Sequence, residues 1–315
     1  MDRLAPLLAL AGAAAVPLLF GGNNYAMGLF VSALILAGIA LAWALLGNLG
    51  GMVSFGHAAF FGVGAYASAL LSLRLGLPVA LAVPLAGLVA AASSVLMLPA
   101  LRLSGPYFAL AILAYSQIFR ILATEAAPLT GGAAGLQRIP GLPTLLGLDL
   151  SSRVGSYGVL VVVVGSCARA YVVLRRSHVG TALRAIAESE DATRVVGVNS
   201  TVLKGWMLVL SAAMTGLFGA LNAHIINFLD PDYAFSGTWS VLPIVAAIFG
   251  GYRTVTGPLV GAVAIYLFDQ VVAKALIPVG HEILLGAVLA AMVLAAPNGV
   301  LGLFARRIGE RHAAR

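Results

Sequence analysis

With 315 residues, 61% of them hydrophobic and 9% charged, and a mean hydropathy of +1.03, the chain has too little polar surface for a water-soluble globule. Its surface faces lipid, and the long unbroken apolar runs exclude a β-barrel, whose strands alternate apolar with polar side chains. The formal charge of +7 fits the Lys and Arg bias of cytoplasmic loops in membrane proteins rather than a nucleic-acid surface.

Cys167 is the single cysteine, which excludes a disulfide framework and a cysteine-built zinc site, and the five histidines include no close pair at ligand spacing. Lys204 and Lys274 are the only lysines and neither follows glycine, so a Walker A loop is absent and any ATP is bound by another chain.

A helix needs about 20 apolar residues to cross a bilayer core. That length predicts spans over 4–20, 29–46, 55–73, 79–101, 106–123, 157–174, 204–226, 239–251, 255–273 and 281–297, an all-α polytopic membrane protein of about ten transmembrane helices, with eight to ten as the range. The first span also reads as a cleavable signal sequence, and 239–251, short and carrying Pro243, as a half-helix or re-entrant piece. With the N-terminus inside, Arg3, Arg102, Arg175, Arg176, Arg184, Arg194, Lys204, Arg253, Arg306, Arg307, Arg311 and Arg315 fall on one side. Arg74, Arg138, Arg153 and Lys274 fall on the other. This asymmetry puts the 175–203 loop and both termini in the cytoplasm.

In chain order, Gly47, Gly50, Gly51, Gly56, Gly62 and Gly64 crowd the start of the third span. They read either as a broken helix lining a substrate path, together with Ser54, His57 and Tyr66, or as close helix packing by small residues. His57 is expected near the cytoplasmic interface, as a hydrogen-bonded structural residue or a proton relay. Pro106 suits a first helical turn, which leaves Tyr107 and Phe108 after Gly105 as an inner gate or as interfacial anchors. Thr130, Gly131, Gly132 and Gly135 form an uncharged external loop, a docking or gating element or a plain turn. Asp230 and Asp232 are external acids, and Asp269 is an ionisable residue in an apolar run, five residues before Lys274.

Residues 178–197 are the polar stretch with helical logic. Val179, Ala182, Leu183 and Ile186 share a face, and Arg184 with Glu188 and Glu190 with Arg194 stand four apart. Gly197 and Asn199 end the helix. A docking helix, a solvated connector and a helix lying on lipid all remain open on spacing alone.

Asp191-Ala192-Thr193 followed after three residues by Gly197 resembles the Glu-Ala-Ala loop by which ABC importer permeases engage their ATPases. Gly50-Gly51-Met52-Val53-Ser54-Phe55-Gly56-His57 and onward to Tyr66, Leu103-Ser104-Gly105-Pro106-Tyr107-Phe108, Leu129-Thr130-Gly131-Gly132 to Leu136, and Gly250-Gly251 with Gly257-Pro258 resemble the M-type branched-chain amino acid permeases. The resemblance runs from about residue 45 to 302. It departs at Thr181 and Ala187, usually basic, and at Asp191-Ala192-Thr193 itself.

The resemblance implies one membrane permease domain over 1–315 with a cytoplasmic coupling segment at 175–203, in the bacterial cytoplasmic (inner) membrane. Gly180, Ala182, Leu183, Arg184, Ile186, Glu188, Asp191, Ala192 and Gly197 are its expected ATPase-coupling residues, with Leu183 and Ile186 as anchors in an ATPase groove. The implied function is ATP-driven import of hydrophobic amino acids without bond chemistry or cofactor in this chain. ATP and magnesium would sit on two ATPase subunits, beside a second related permease and an external binding protein. Import of urea or short amides, and an ion-coupled secondary transporter working alone, are the alternatives.

Overall fold

The computed structural model describes residues 12, 15–103, 105–145, 147–277, 280–295, 299, 300 and 302. Helices α1 (Asn24–Gly50), α2 (His57–Leu75), α3 (Val79–Ser94, running on as a 3-10 stretch to Arg102), α4 (Pro106–Glu125) and α5 (Arg153–Arg176) come first. Two short helices follow, α6 (His178–Glu188) and α7 (Glu190–Val195), and then α8 (Ser200–Ile226), α9 (Thr238–Gly250), α10 (Thr256–Leu267, continued by a π turn over Phe268–Ala273) and α11 (His281–Ala295). Among the described residues eight stretches are long and apolar enough to cross a membrane. The expected span at 281–297 appears as the 15-residue α11; its last two positions, most of the expected 4–20 span, Arg3 and the arginines of the C-terminal tail lie outside the described residues.

The body is built around α1. Ile35 through Leu46 are buried all round, as expected of a helix apolar on every face when partners surround it. Helices α5, α8, α9 and α10 pack on it, and α8 also packs along α2 and α3. Small residues set these distances: a side chain on Gly64 would collide with the backbone of Gly216, and one on Gly219 with that of Phe61.

Two ends emerge. The lower end holds Gly51, packed on Ala187, together with Arg102, α6, α7 and Arg253, whose carbonyl accepts from Asn48 (3.2 Å). The upper end holds the 126–152 connection. There β1 (Leu136–Gln137) pairs antiparallel with β4 (Phe228–Leu229), Arg74 donates to the Pro128 carbonyl (3.0 Å), and His224 contacts the Pro140 carbonyl (2.7 Å). A second small hairpin joins β2 (Thr144–Leu145) to β3 (Leu148–Asp149). Apart from Arg120 and Arg169, which lie within α4 and α5, helix ends thus sort the described cations as the span count expects: Arg102, Arg175, Arg176, Arg184, Arg194, Lys204 and Arg253 sit low, and Arg74, Arg138, Arg153 and Lys274 high.

The 239–251 span coincides with α9, which together with the turn Pro231–Ala234 before it makes up Pro231–Gly250, one of the eight long apolar stretches. Helix α9 has 13 residues, about 20 Å at 1.5 Å per residue, too short for a core of about 30 Å. The chain reaches it from the upper end through a single helical turn, Pro231–Ala234, and a break at residues 235–237. Tyr252, just past its end, packs edge-on against Trp43.

Candidate functional site

After α1 the chain reverses at Gly51 (φ 63°) and climbs back beside the helix without regular structure as far as Gly56. The Trp43 indole nitrogen donates to the Ser54 carbonyl (2.9 Å), and Trp43 stands seven residues above Gly50, about 10 Å along the axis. Helix α2 therefore begins inside the body. His57, its first residue, is fully buried rather than at the expected interface, with Nε2 3.0 Å from Ser211 Oγ. That hydroxyl donates to the Ala42 carbonyl (2.9 Å), so towards His57 it accepts, and the ring carries its proton on Nε2. This geometry supports the structural reading of His57.

Helix α9 reaches the same depth from above. Ser240 Oγ, in its first turn, accepts from the Ala58 amide (3.0 Å), while Trp239 stacks on Phe61 and Phe235 on Tyr66. Two interrupted helices thus meet, N-terminal turn to N-terminal turn, midway through the body, where the amides of first turns have no carbonyl within their own helix. Ser211, Phe235, Trp239 and Ser240 were not singled out from the sequence. The two serines in otherwise apolar spans were the available signal.

The glycines singled out around α2 and before α4 divide. A Cβ on Gly62 would fall within the Phe235 ring, and one on Gly56 against Ile112, so these two serve packing, the second of the two readings open for them. Gly51 instead lines a lower-end cavity of about 1210 Å³ between the 50–55 segment, the start of α4 and the α6–α7 segment, and Gly105 and Phe108 line it too. Tyr107 is exposed and Phe108 buried. Ser54, Gly56, His57, Gly62 and Tyr66 are packed in the interior, off that cavity, and the Tyr66 hydroxyl has no hydrogen-bond partner among the described residues.

At the upper end, Thr130 is buried and its hydroxyl reaches the carbonyls of Ala123 (2.6 Å) and Ala126 (2.8 Å), while Gly131, Gly132 and Gly135 adopt positive φ. The segment is a tightly bonded cap, not a slack loop. Asp230 caps the turn before α9 by accepting from the Tyr233 amide (2.9 Å), and Asp232 pairs with Arg120 (2.8 Å) at the surface, a contact worth about 0–1 kcal/mol. Asp269 is buried in the π turn, with Lys274 at 4.0 Å and the Gln270 amide at 3.2 Å.

The 178–197 segment is two helices, not one. Ser189 is extended between them (φ −156°), and its hydroxyl caps α7 through the Ala192 amide (3.4 Å). Leu183 and Ile186 are 0% and 3% exposed: Leu183 is seated in the chain's own core cluster, Ile186 lines the lower-end cavity beside Gly51, and Gly180 packs on the Leu174 and Arg175 backbone. Of the apolar face predicted by spacing, Leu183 and Ile186 are buried where α6 packs on α1, α5 and α8, while Val179 is exposed. Arg184, Glu188, Asp191, Ala192 and Gly197 are exposed and Ala182 partly so. A shallow groove of about 570 Å³, floored by Ala182, Ala185, Ser189 and Ala192, separates the two helices on this free face.

The expected Arg184–Glu188 pair is not formed, since Arg184 turns back to the Gly180 carbonyl (3.3 Å). Glu190 pairs with Arg194 (2.7 Å) as its spacing implies, and also with Lys204 and the Ser200 hydroxyl (2.8 Å). Burial by itself would raise the Glu190 carboxyl, but the bonds from Lys204 and Ser200 and the charges of Lys204 and Arg194 outweigh it and hold the group below its usual range. Because the folded value is depressed, the stabilisation is present at neutral pH and is lost as pH falls through that value. Protease cleavage within 190–200 is therefore expected to rise on acidification below the ordinary carboxylate range. A cleavage rate flat with pH there contradicts this.

Residues 25–296 match the family model described as the branched-chain amino acid transport system permease component. Over 282 residues the chain is 33% identical to the high-affinity branched-chain amino acid transport system permease protein LivM of Salmonella typhimurium, and 31% to that of Escherichia coli, covering 81% of this chain and 64% of each relative. It is 24% identical over 131 residues to the LivH permease protein of Escherichia coli, 42% of either chain. The chain thus spans about 64% of the length of its LivM relatives. No solved structure matches.

Proposed function

Because the chain belongs to the branched-chain amino acid transport permease family, we propose that it is a translocation subunit of an ATP-driven ABC importer carrying branched-chain or other hydrophobic amino acids into the cytoplasm. The observation that carries this reading is the family match over 25–296, which takes in both interrupted helices and the α6–α7 segment. The chain performs no bond chemistry. Two ATPase subunits bind ATP and magnesium, a second permease related to this one completes the path, and an external binding protein delivers the amino acid. The lower end is cytoplasmic, because it gathers most of the described cations, so the exposed face of α6 and α7 is presented to the ATPases.

The interrupted helices suit the task. An amino acid crossing a bilayer must exchange water for fixed polar groups at its charged ends, and the breaks at 51–56 and 235–237 bring backbone groups to mid-body depth, as discontinuous helices do in other transporters. The secondary-transporter alternative rests on Asp269, which lies within reach of Lys274 and Gln270 towards the upper end.

Vesicles holding this chain alone are expected to accumulate no leucine and to hydrolyse no ATP, whereas vesicles holding it with its partner subunits, ATP and the binding protein accumulate leucine. Gradient-driven uptake by the lone chain contradicts the reading. A cysteine placed at Ser189, with Cys167 replaced, is expected to react with an impermeant maleimide only from the cytoplasmic side, and less once the ATPases are bound. Reaction from outside reverses the orientation.

A further inference from the structure

Helices α6 and α7 are held to the body by two different kinds of contact. The first, α6, is seated by buried apolar side chains, Leu183 and Ile186. The second, α7, carries one buried side chain, Thr193, whose hydroxyl returns to the Ser189 carbonyl of its own segment (2.7 Å). What joins α7 to α8 is a polar cluster. Glu190 Oε1 accepts from Arg194 Nη2 (2.7 Å) and Ser200 Oγ (2.8 Å), its Oε2 accepts from Lys204 Nζ, and Arg194 Nε donates to Ser200 Oγ (3.0 Å). Ser200 and Lys204 occupy the first two turns of α8, so one carboxylate spans the bend at Gly197 (φ 87°).

Helix α8 in turn is meshed with α2. At Gly64–Gly216 and Phe61–Gly219 the two backbones approach too closely to admit a Cβ, and His57–Ser211 (3.0 Å) and Ser68–His224 (2.7 Å) bond the two helices at two depths. Displacement of the foot of α8 is therefore carried to the start of α2, where the chain is unwound. Glu190, Arg194 and Lys204 also line the lower cavity together with Gly51 and Met52, so the cluster stands beside the segment that such a movement would shift.

Resting on the importer reading above, we propose that Glu190 is a positioning residue of transport: its bonds to Lys204 and Ser200 are the tie through which movement of the coupling segment pulls α8, and with it the interrupted start of α2. Glu190 does not belong to the ATPase-docking face. The tie has few strong elements, since partly exposed ion pairs contribute little to stability, and the apolar seat of α6 is independent of it. Removing it leaves the fold and the ATPase attachment in place and disconnects hydrolysis from movement.

The test uses the complete transporter, isolated through a tag on this chain, placed in vesicles with its binding protein, with ATP hydrolysis and leucine uptake measured on the same preparation. Glu190→Gln and Lys204→Met are expected to retain the ATPases and at least half of the hydrolysis, while uptake per ATP falls tenfold or more. Lys204→Arg keeps a cation in reach of Glu190 and is expected to keep uptake per ATP within twofold of the unaltered transporter, which a simple loss of packing at 204 would not allow. Unchanged uptake per ATP in Glu190→Gln overturns the tie, and so does loss of the ATPases from that variant, which would place Glu190 in the docking face. In either case the unaltered transporter still imports. Absence of ATP-dependent uptake by the unaltered transporter defeats the importer reading itself, and the tie with it.

Discussion

Leu183→Asp is expected to abolish ATP-dependent uptake and to detach the ATPases, while the chain remains in the membrane at normal abundance. Leu183 is fully buried beneath α6, so the substitution places an unpaired carboxylate in an apolar seat at a cost of several kcal/mol. Membrane insertion rests on the length and hydropathy of the eight apolar stretches, whereas the position of α6 rests on Leu183, Ile186 and Gly180. The cheaper outcome is that α6 leaves the body, and the docking surface goes with it. Ile186→Ala, costing about 2–5 kcal/mol, follows in the same direction with a smaller loss. Val195→Ser, at a side chain 88% exposed, should leave the position of α6 unchanged. Limited proteolysis of 178–197 reports the detachment, and co-purification reports the ATPases. Full ATPase retention in Leu183→Asp would show that the seat of α6 is dispensable.

Gly64→Leu is expected to prevent accumulation of the folded protein. At Gly64 even a Cβ would collide with the backbone of Gly216, and backbone cannot rotate away as a side chain does. The clash separates α2 from α8, and with them the His57–Ser211 bond and the packing of the interrupted segment. Overpacking of this kind costs about 1–3 kcal/mol when the core can shift and more when it cannot. Gly28→Ala is the control: nothing lies within 4 Å of a Cβ built there, and alanine favours the helix by up to about 1 kcal/mol. The measurements are membrane abundance and the thermal midpoint in detergent. A Gly64→Leu protein with an unchanged midpoint would contradict the close α2–α8 approach.

Span positions were legible in the sequence because length and hydropathy are what a bilayer requires of a helix. The runs over 29–46, 106–123 and 204–226 each lie inside a single helix, at Asn24–Gly50, Pro106–Glu125 and Ser200–Ile226. Local chemistry was legible too. Pro106 opens α4, Gly197 ends the segment after α7, and the Glu190–Arg194 pair forms at its spacing; Asn199, expected to share in that stop, instead caps α8 through the Val202 amide. The motifs at 50–66, 103–110 and 129–136 carried the family resemblance, and 25–296 carries the family match.

Burial was not legible. In lipid, the side chains facing the bilayer are as apolar as those facing the core, so periodicity that separates inside from outside in a soluble helix has little contrast here. Nothing in the composition of α1 and α5 says that Ile35–Leu46 is enclosed while Val162 and Val173 are exposed. In the polar segment the pattern did mark a face through Leu183 and Ile186, but spacing defines a face without saying what covers it, and the chain's own body covers this one. The depth of His57, the meeting of α2 with α9 at Ser240, and the choice by Glu190 of Lys204 fourteen positions away all depend on where the chain re-enters after Gly51 and after Asn227. Those paths are set by contacts between segments far apart in the sequence, so only the tertiary structure decides them.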